Sequence, residues 1–203
     1  YTGTTNINGG KVVLNGGNNT IFVNAVGGTQ SLNVNNGILD LNGNNQTVNA
    51  LASNNTALGG TGGIITNTAG GAAVMFRTVG NGTFAGTLTG NLNFARAGNT
   101  TTTLLSNNDY TGATYVRGGT LNLQQYGQLS GTSAVSNYFG VLNLDSTNNP
   151  AVDVNRLNAA APITLQGGTI AFLGFNGGIS TQNMGAVNVL QGASVITSTR
   201  NTV

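Results

Sequence analysis

The side chains able to do chemistry are few. The 203 residues contain no histidine, no cysteine and no glutamate, and only four aspartates, Asp40, Asp109, Asp145 and Asp153. Ser-His-Asp and Cys-His nucleophile systems are therefore ruled out, as are the usual zinc and facial-triad ligand sets. General acid–base work would fall to aspartates alone. One grouping has the composition used by solenoid enzymes that cleave acidic polysaccharides: Asp145, Asp153 and Arg156 lie within twelve residues. The simpler expectation for that segment is a solvated loop with at most one surface ion pair, contributing ~0–1 kcal/mol. Asp40, between Leu39 and Leu41, is expected to point outward by alternation as a lone surface carboxylate. The run Gly59-Gly60-Thr61-Gly62-Gly63 has the look of a phosphate cradle, but it lacks a P-loop lysine and leads into no helical pattern. The chain is expected to be no enzyme and to need no metal or cofactor.

Binding chemistry rests on aromatics. Tyr110, Tyr115, Tyr126, Tyr138 and Phe139 fall within 30 residues. Tyr126 and Tyr138 are the pair with no obvious packing role. With Asp145, Asp153 and Arg156 they make the candidate contact face for a glycan or receptor. The six cations, Lys11, Arg77, Arg96, Arg117, Arg156 and Arg200, are scattered singly, so the net charge of +2 describes no basic stripe. Nucleic-acid binding is not expected, and no apolar run approaches the ~18 residues of a membrane span.

The elements that must hold these residues are strands. Glycine and asparagine each number 33 and threonine 29, and no window of helical length escapes glycine, asparagine and β-branched residues. With 38% apolar residues and little charge the chain is expected to fold. The pattern is clearest in Thr114-Tyr115-Val116-Arg117-Gly118-Gly119-Thr120-Leu121-Asn122-Leu123: two alternating runs meet at a paired-glycine bend suited to positive φ. Glycines followed by apolar alternation recur at Gly10, Gly37, Gly63, Gly90, Gly119, Gly140, Gly168 and Gly192, at steps of 27, 26, 27, 29, 21, 28 and 24. A mean step of 26 reads as one solenoid coil per repeat, about eight in all, making a rod on the order of 40 Å long. Four bends keep the flanking inward residues five apart: Ile7/Val12, Val34/Leu39, Val116/Leu121 and Leu165/Ile170. Leu14, Leu41, Phe94, Leu123, Leu144 and Phe172 are then expected to stack in one interior column, and Asn8, Asn36, Asn122 and Asn143 to form amide ladders. Thr66–Gly82 and Asp145–Pro162 break the rhythm and are expected to be loops.

The run Asn107-Asn108-Asp109-Tyr110-Thr111-Gly112-Ala113-Thr114-Tyr115-Val116-Arg117-Gly118-Gly119-Thr120-Leu121-Asn122-Leu123 resembles the autotransporter-associated β-strand repeat, or passenger-associated transport repeat, of bacterial surface proteins. Tyr1 to Leu14 shares the resemblance, and Leu58–Thr68, Gly82–Gly86 and Ile163–Thr197 do so more loosely. Where the family's lead-in reads Gly-x-Gly-Thr-Leu-x-Leu, this chain has Gly98-Asn99-Thr100-Thr101-Thr102-Thr103-Leu104-Leu105. The resemblance implies a right-handed parallel β-solenoid over residues 1–203, a stalk, fibre or adhesin shaft on the bacterial cell surface, and no active site in the repeat. Tyr110, Gly112, Gly118, Gly119, Leu121 and Leu123 carry that repeat. Because Tyr1 falls inside a motif, the segment is expected to belong to a longer exported chain and to stack end to end on its own chain or on neighbouring subunits, with surface glycans or a host receptor as further partners.

Overall fold

The computed structural model describes residues 3–21, 31–147, 155–175 and 177–200. The first lap supplies β1 (Thr5–Ile7) and β2 (Lys11–Val13). The next two supply β3 (Ser31–Val34), β4 (Ile38–Asp40) and β5 (Gln46–Val48), then β6 (Ala50–Ala52), β7 (Ile64–Asn67) and β8 (Val74–Thr78). The fourth and fifth hold β9 (Gly82–Phe84), β10 (Thr87–Gly90) and β11 (Leu92–Ala97), then β12 (Thr101–Leu104), β13 (Asn107–Asn108) and β14 (Thr114–Arg117). The sixth has β15 (Thr120–Leu123), β16 (Gln128–Leu129) and β17 (Val135–Tyr138); the seventh has β18 (Val141–Asp145) and β19 (Ile163–Gln166). The last strands are β20 (Thr169–Gly174), β21 (Val187–Gln191) and β22 (Val195–Arg200).

These strands form three faces. On the first, β1-β3-β6 continues into β9-β12-β15-β18-β20-β22, joined where the Ser53 amide donates to Thr83 O at 3.0 Å. On the second, β2-β4-β7-β10 continues through Asp109 N–H to Leu88 O into β13-β16, and Leu129 bridges to Leu157. The third is the seven-stranded β5-β8-β11-β14-β17-β19-β21. Every pairing between these strands is parallel. The chain visits the faces in fixed order, so the protein is a three-sided parallel β-solenoid of about eight laps, as alternation with periodic glycine predicts.

Register corrects the counting of laps. Gly10, Gly37 and Gly63 lie between first- and second-face strands, Gly90 ends second-face β10 at the turn into the third, and Gly119, Gly140, Gly168 and Gly192 lie between third and first. The eight glycines thus mark three different corners, and their mean of 26 mixes them. Phe76 aligns with Phe94, Phe94 with Thr114 and Thr114 with Val135, steps of 18, 20 and 21 residues, whereas Val135 to Ile163 takes 28 because the 146–156 segment intervenes. The expected single column also divides. Leu41 is buried on the second face, Phe94 on the third beside Phe76, and Leu123 and Leu144 on the first with Phe172 only partly covered. Of the residues flanking the bends, Val34, Leu39, Val116, Leu121, Leu165 and Ile170 are buried, but Val12, on the first lap, keeps 42% of its surface exposed.

Thr66–Gly82 is not a loop: it holds the end of β7, all of β8 and the start of β9, and only 68–73 and 79–81 turn. Pro162 directly precedes β19, where no ladder donor is required, and its carbonyl accepts from Val135 N–H at 2.9 Å. Amide ladders run between laps, Asn143 to Asn122 (2.9 Å), Asn33 to Asn6 (2.9 Å) and Asn35 to Asn8 (2.6 Å), so Asn35 rather than Asn36 partners Asn8.

Asp40 is not a lone surface carboxylate. Its side chain is buried between laps, ion-paired to Lys11 Nζ at 2.8 Å and accepting from Thr68 N–H, Thr68 Oγ1 and Asn42 N–H. Burial works to raise its pKa, but the Lys11 ammonium and the Thr68 and Asn42 hydrogen bonds outweigh it and hold the carboxyl at about 2, below its ordinary 3.8. A carboxyl depressed in the folded state contributes stability above its unfolded pKa and loses it as pH falls through the folded one. Because Lys11 is half-exposed, the contribution is about 1–2 kcal/mol rather than the full linkage value. Asp40→Asn is therefore expected to lower stability at neutral pH by that amount. It should also flatten the decline of the thermal midpoint between about pH 4 and pH 2. An unchanged acid limb would show that Asp40 is not its source.

Candidate binding surface

Potential chemistry gathers at two corners, which the first-face strands separate. At the corner after β15 and β18 stand Tyr126, Asp145 and Arg156. Arg156 is wholly buried: Nε donates to Ser146 Oγ (3.2 Å), Nη1 to Gly127 O (2.8 Å) and Nη2 to Gln125 O (3.1 Å). Burial lowers its pKa to about 10, partly countered by the field of Asp145. Asp145 is buried too, accepting from Gln124 Nε2, Thr147 N–H and Thr147 Oγ1. Both side chains are occupied in joining Ser146, Thr147 and Arg156 to one another and to the sixth lap, and neither is presented to solvent. Asp153 lies outside the described residues. Among the described residues the one ion pair is Lys11–Asp40, and no three acidic, histidine or cysteine side chains gather to hold a metal.

Tyr126 is 41% exposed and lies beside Gly59, in the 54–62 segment that connects β6 to β7. That segment runs along the solenoid. The Gly59 amide donates to Gln125 Oε1 (2.8 Å), Gly60 to Ser106 Oγ (2.6 Å) and Ala85 O (2.7 Å), and Gly62 to Ala85 O (3.1 Å). Residues of the third lap are thus tied to the fourth, fifth and sixth. These donors would be the ones a phosphate needs, and all are engaged within the chain, so the glycine run is a strap.

The second corner joins the third face to the first. Here Tyr138 ends β17 and Phe139 follows at φ 59°, in the left-handed region. The corresponding residues of the laps on either side, Gly118 (118°) and Gly167 (72°), and Gly98 (86°) two laps back, are glycines with positive φ. Only glycine adopts that region without steric cost, so a bulky aromatic there is an outlier. Phe139 is 72% exposed, and its ring lies against Gly167, where an added Cβ would come within 2.7 Å of Cε1. Arg117, one lap back and exposed, lines the same shallow depression with Tyr138 and Phe139 and sets its guanidinium 5.0 Å from the centroid of the Tyr115 ring.

Tyr126 and Tyr138 therefore occupy different corners and do not form one contact face. Tyr138 has aromatic and cationic neighbours; Tyr126 has the strap. Phe139 and Arg117 are the residues that alternation alone passes over. Their signal is legible when laps are superposed: Arg117-Gly118-Gly119, Tyr138-Phe139-Gly140 and Gln166-Gly167-Gly168 are equivalent triplets, and the middle one replaces the first glycine by phenylalanine.

No family model, curated protein or solved structure matches this chain. What it does must be argued from its own residues.

Proposed function

We propose that the chain is a structural segment, a stalk or adhesin shaft, of an exported bacterial surface protein. The carrying observation is where the residues of the 107–123 motif go. Tyr110 is fully buried, with its hydroxyl hydrogen-bonded to Thr114 Oγ1, which in turn meets Thr132 Oγ1 at 2.9 Å. Burial, only partly offset by those hydroxyls, pushes the phenol's pKa upward. Gly112 packs on the Leu92 carbonyl, Gly118 and Gly119 turn the corner at positive φ, and Leu121 and Leu123 enter the core. Each of these residues serves packing or the backbone turn. That is the expectation for a repeat whose task is to build length, and the resemblance to the passenger repeat points the same way.

The mechanism is mechanical. Parallel ladders on three faces distribute load over many backbone hydrogen bonds, and among the described residues the buried side-chain polar atoms other than Arg77 Nε are satisfied, so little is gained by opening one lap. The outer edges of β21 and β22, with Val187, Val189, Leu190, Val195 and Ile196 exposed, are the surfaces on which we propose further laps or a neighbouring subunit pair. The test is localisation together with extension. Antibodies to the folded chain should label intact cells of the producing bacterium, and labelling should disappear after external protease under conditions that leave cytoplasmic proteins intact. Recovery of the chain solely from the cytoplasm would overturn the proposal.

A further inference from the structure

We propose that the corner formed by Tyr115, Arg117, Tyr138 and Phe139 binds a carboxylated polysaccharide, a pyranose ring stacking on the aromatic shelf while its carboxylate pairs with Arg117. Two independent observations place a ligand here. The first is the backbone: a bulky residue sits in left-handed geometry where the equivalent residues on both sides are glycine. Strain of this kind persists where the displayed side chain has a use, and Phe139 contributes little to the fold, being 72% exposed. The neighbouring lap accommodates it, since Gly167 leaves room for the ring that any side chain would fill. The second is Arg117. No described aspartate pairs with it: Asp40 and Asp145 are buried with other partners, and Asp109, exposed in the same lap, precedes the 110–113 turn at the opposite end of β14 from Arg117. The Arg117 guanidinium meets the Tyr115 ring, which orients it and leaves its N–H edge for a planar anion.

The shape selects the class of ligand. The depression lined by Arg117, Tyr138 and Phe139 is shallow and open, so a small aromatic acid would remain largely solvated, whereas a polymer can lie across the neighbouring laps and cover the shelf with sugar rings on either side of the one that pairs with Arg117. A nucleic acid would require a row of cations to follow its phosphates, and among the described residues this corner exposes one, Arg117, with Arg96 buried beneath Gly119. An acidic sugar needs one guanidinium per contact and an apolar ring face beside it. The shelf depends on neither export nor anchoring, so its failure and that of the stalk proposal are read separately.

The test uses the 203-residue chain, trigalacturonate as the acidic probe and galactotriose as its neutral counterpart. Calorimetric titration should give saturable binding of trigalacturonate, with Kd on the order of 0.1–1 mM for a single shallow site. Amide chemical-shift changes should be confined to residues near 114–118, 136–140 and 166–168. Galactotriose should bind at least about tenfold weaker, a difference of ~1.4 kcal/mol. Phe139→Gly should weaken trigalacturonate at least about tenfold while leaving the thermal midpoint unchanged or raised, because glycine relieves the backbone strain. Arg117→Gln, at an exposed position, should reduce the acidic probe to the affinity of the neutral one. The proposal is overturned by an absence of saturable binding up to about 10 mM, by equal affinity for both sugars, by shifts located elsewhere, or by undiminished affinity in either variant.

Discussion

Gly86→Ala is expected to lower stability by about 3 kcal/mol or more, although it adds a single methyl group. Gly86 continues the corner column of Gly10, Gly37 and Gly63, in which the Ile38 amide donates to Gly10 O (2.8 Å), Ile64 to Gly37 O (2.9 Å) and Thr87 to Gly63 O (3.0 Å). A Cβ on Gly86 would lie 2.0 Å from the Gly63 carbonyl oxygen and 2.4 Å from Phe84 Cζ. The nearest obstacle is backbone, which cannot rotate aside, so the two laps must part and the Thr87 hydrogen bond lengthens or breaks. Gly10 supplies the control. It belongs to the same column, but in the first lap an added Cβ meets nothing within 4 Å, and only its φ of 69° opposes a side chain. Gly10→Ala is accordingly expected to cost about 1 kcal/mol. Chemical denaturation of the two variants beside the parent separates the causes, and equal losses would show that lap contact is not what requires glycine at position 86.

How much of this was legible follows from what each signal encodes. Alternation reports which side of a strand is dry, and it places Val34, Leu39, Val116, Leu121, Leu165 and Ile170 correctly in the core. A glycine before an apolar run reports only that the chain turns into a half-buried strand. A three-sided solenoid makes that turn three times per lap, so Gly63, Gly90 and Gly119 look alike in sequence while standing on three different corners. Distinguishing them requires the partner strand, a contact some 20 residues away. Asp40 illustrates the same gap. Its place between Leu39 and Leu41 says that it leaves the core, but not that Lys11 and Thr68, from the laps on either side, close over it.

The buried arginines were hidden for a related reason. Arg96 occupies a strand position aligned with Thr78 and Val116 and is fully buried, although no carboxylate pairs with it. Its guanidinium donates to Thr78 O (3.1 Å), Thr100 O (3.1 Å from Nε) and Thr100 Oγ1 (2.8 Å), beneath Gly119, where an added Cβ would meet Nη2 at 2.9 Å. Burial lowers its pKa, and the carbonyl dipoles of the corner stand where a counter-ion would otherwise be needed. Arg156 is held in the same manner by Gln125 O and Gly127 O. Sequence offers a charge and the usual inference of a solvated surface. Corners rich in inward-turned carbonyls provide another way to hold it. Asp145 and Arg156, which looked available for chemistry, are therefore engaged within the chain, and the aromatic residue at the glycine position of another corner is the one we propose for a ligand.

Phe94→Ala is expected to cost about 3–5 kcal/mol and, beyond that, to divide the unfolding transition in two. Phe94 is fully buried at the middle of the rod, with ring centroids of Phe76 in the lap before and Tyr110 in the lap after each 6.3 Å away. In a solenoid each lap packs on its neighbours, so cooperativity passes through the core interfaces in series, and here the 54–62 strap adds a few hydrogen bonds that reach beyond the adjacent lap. Emptying the Phe94 site removes the contact common to the third, fourth and fifth laps and weakens the one place where the halves are coupled through aromatic packing. The chain carries its own reporters for this separation: Tyr1 aside, every tyrosine lies at or beyond position 110. Tyrosine fluorescence therefore follows the C-terminal half, while far-ultraviolet circular dichroism follows the whole. In the parent protein the two signals should change together; in Phe94→Ala the dichroism should begin to fall at lower denaturant than the fluorescence. Coincident curves in the variant, shifted by less than about 1.5 kcal/mol, would show that the aromatic stack neither anchors the core nor transmits folding along it.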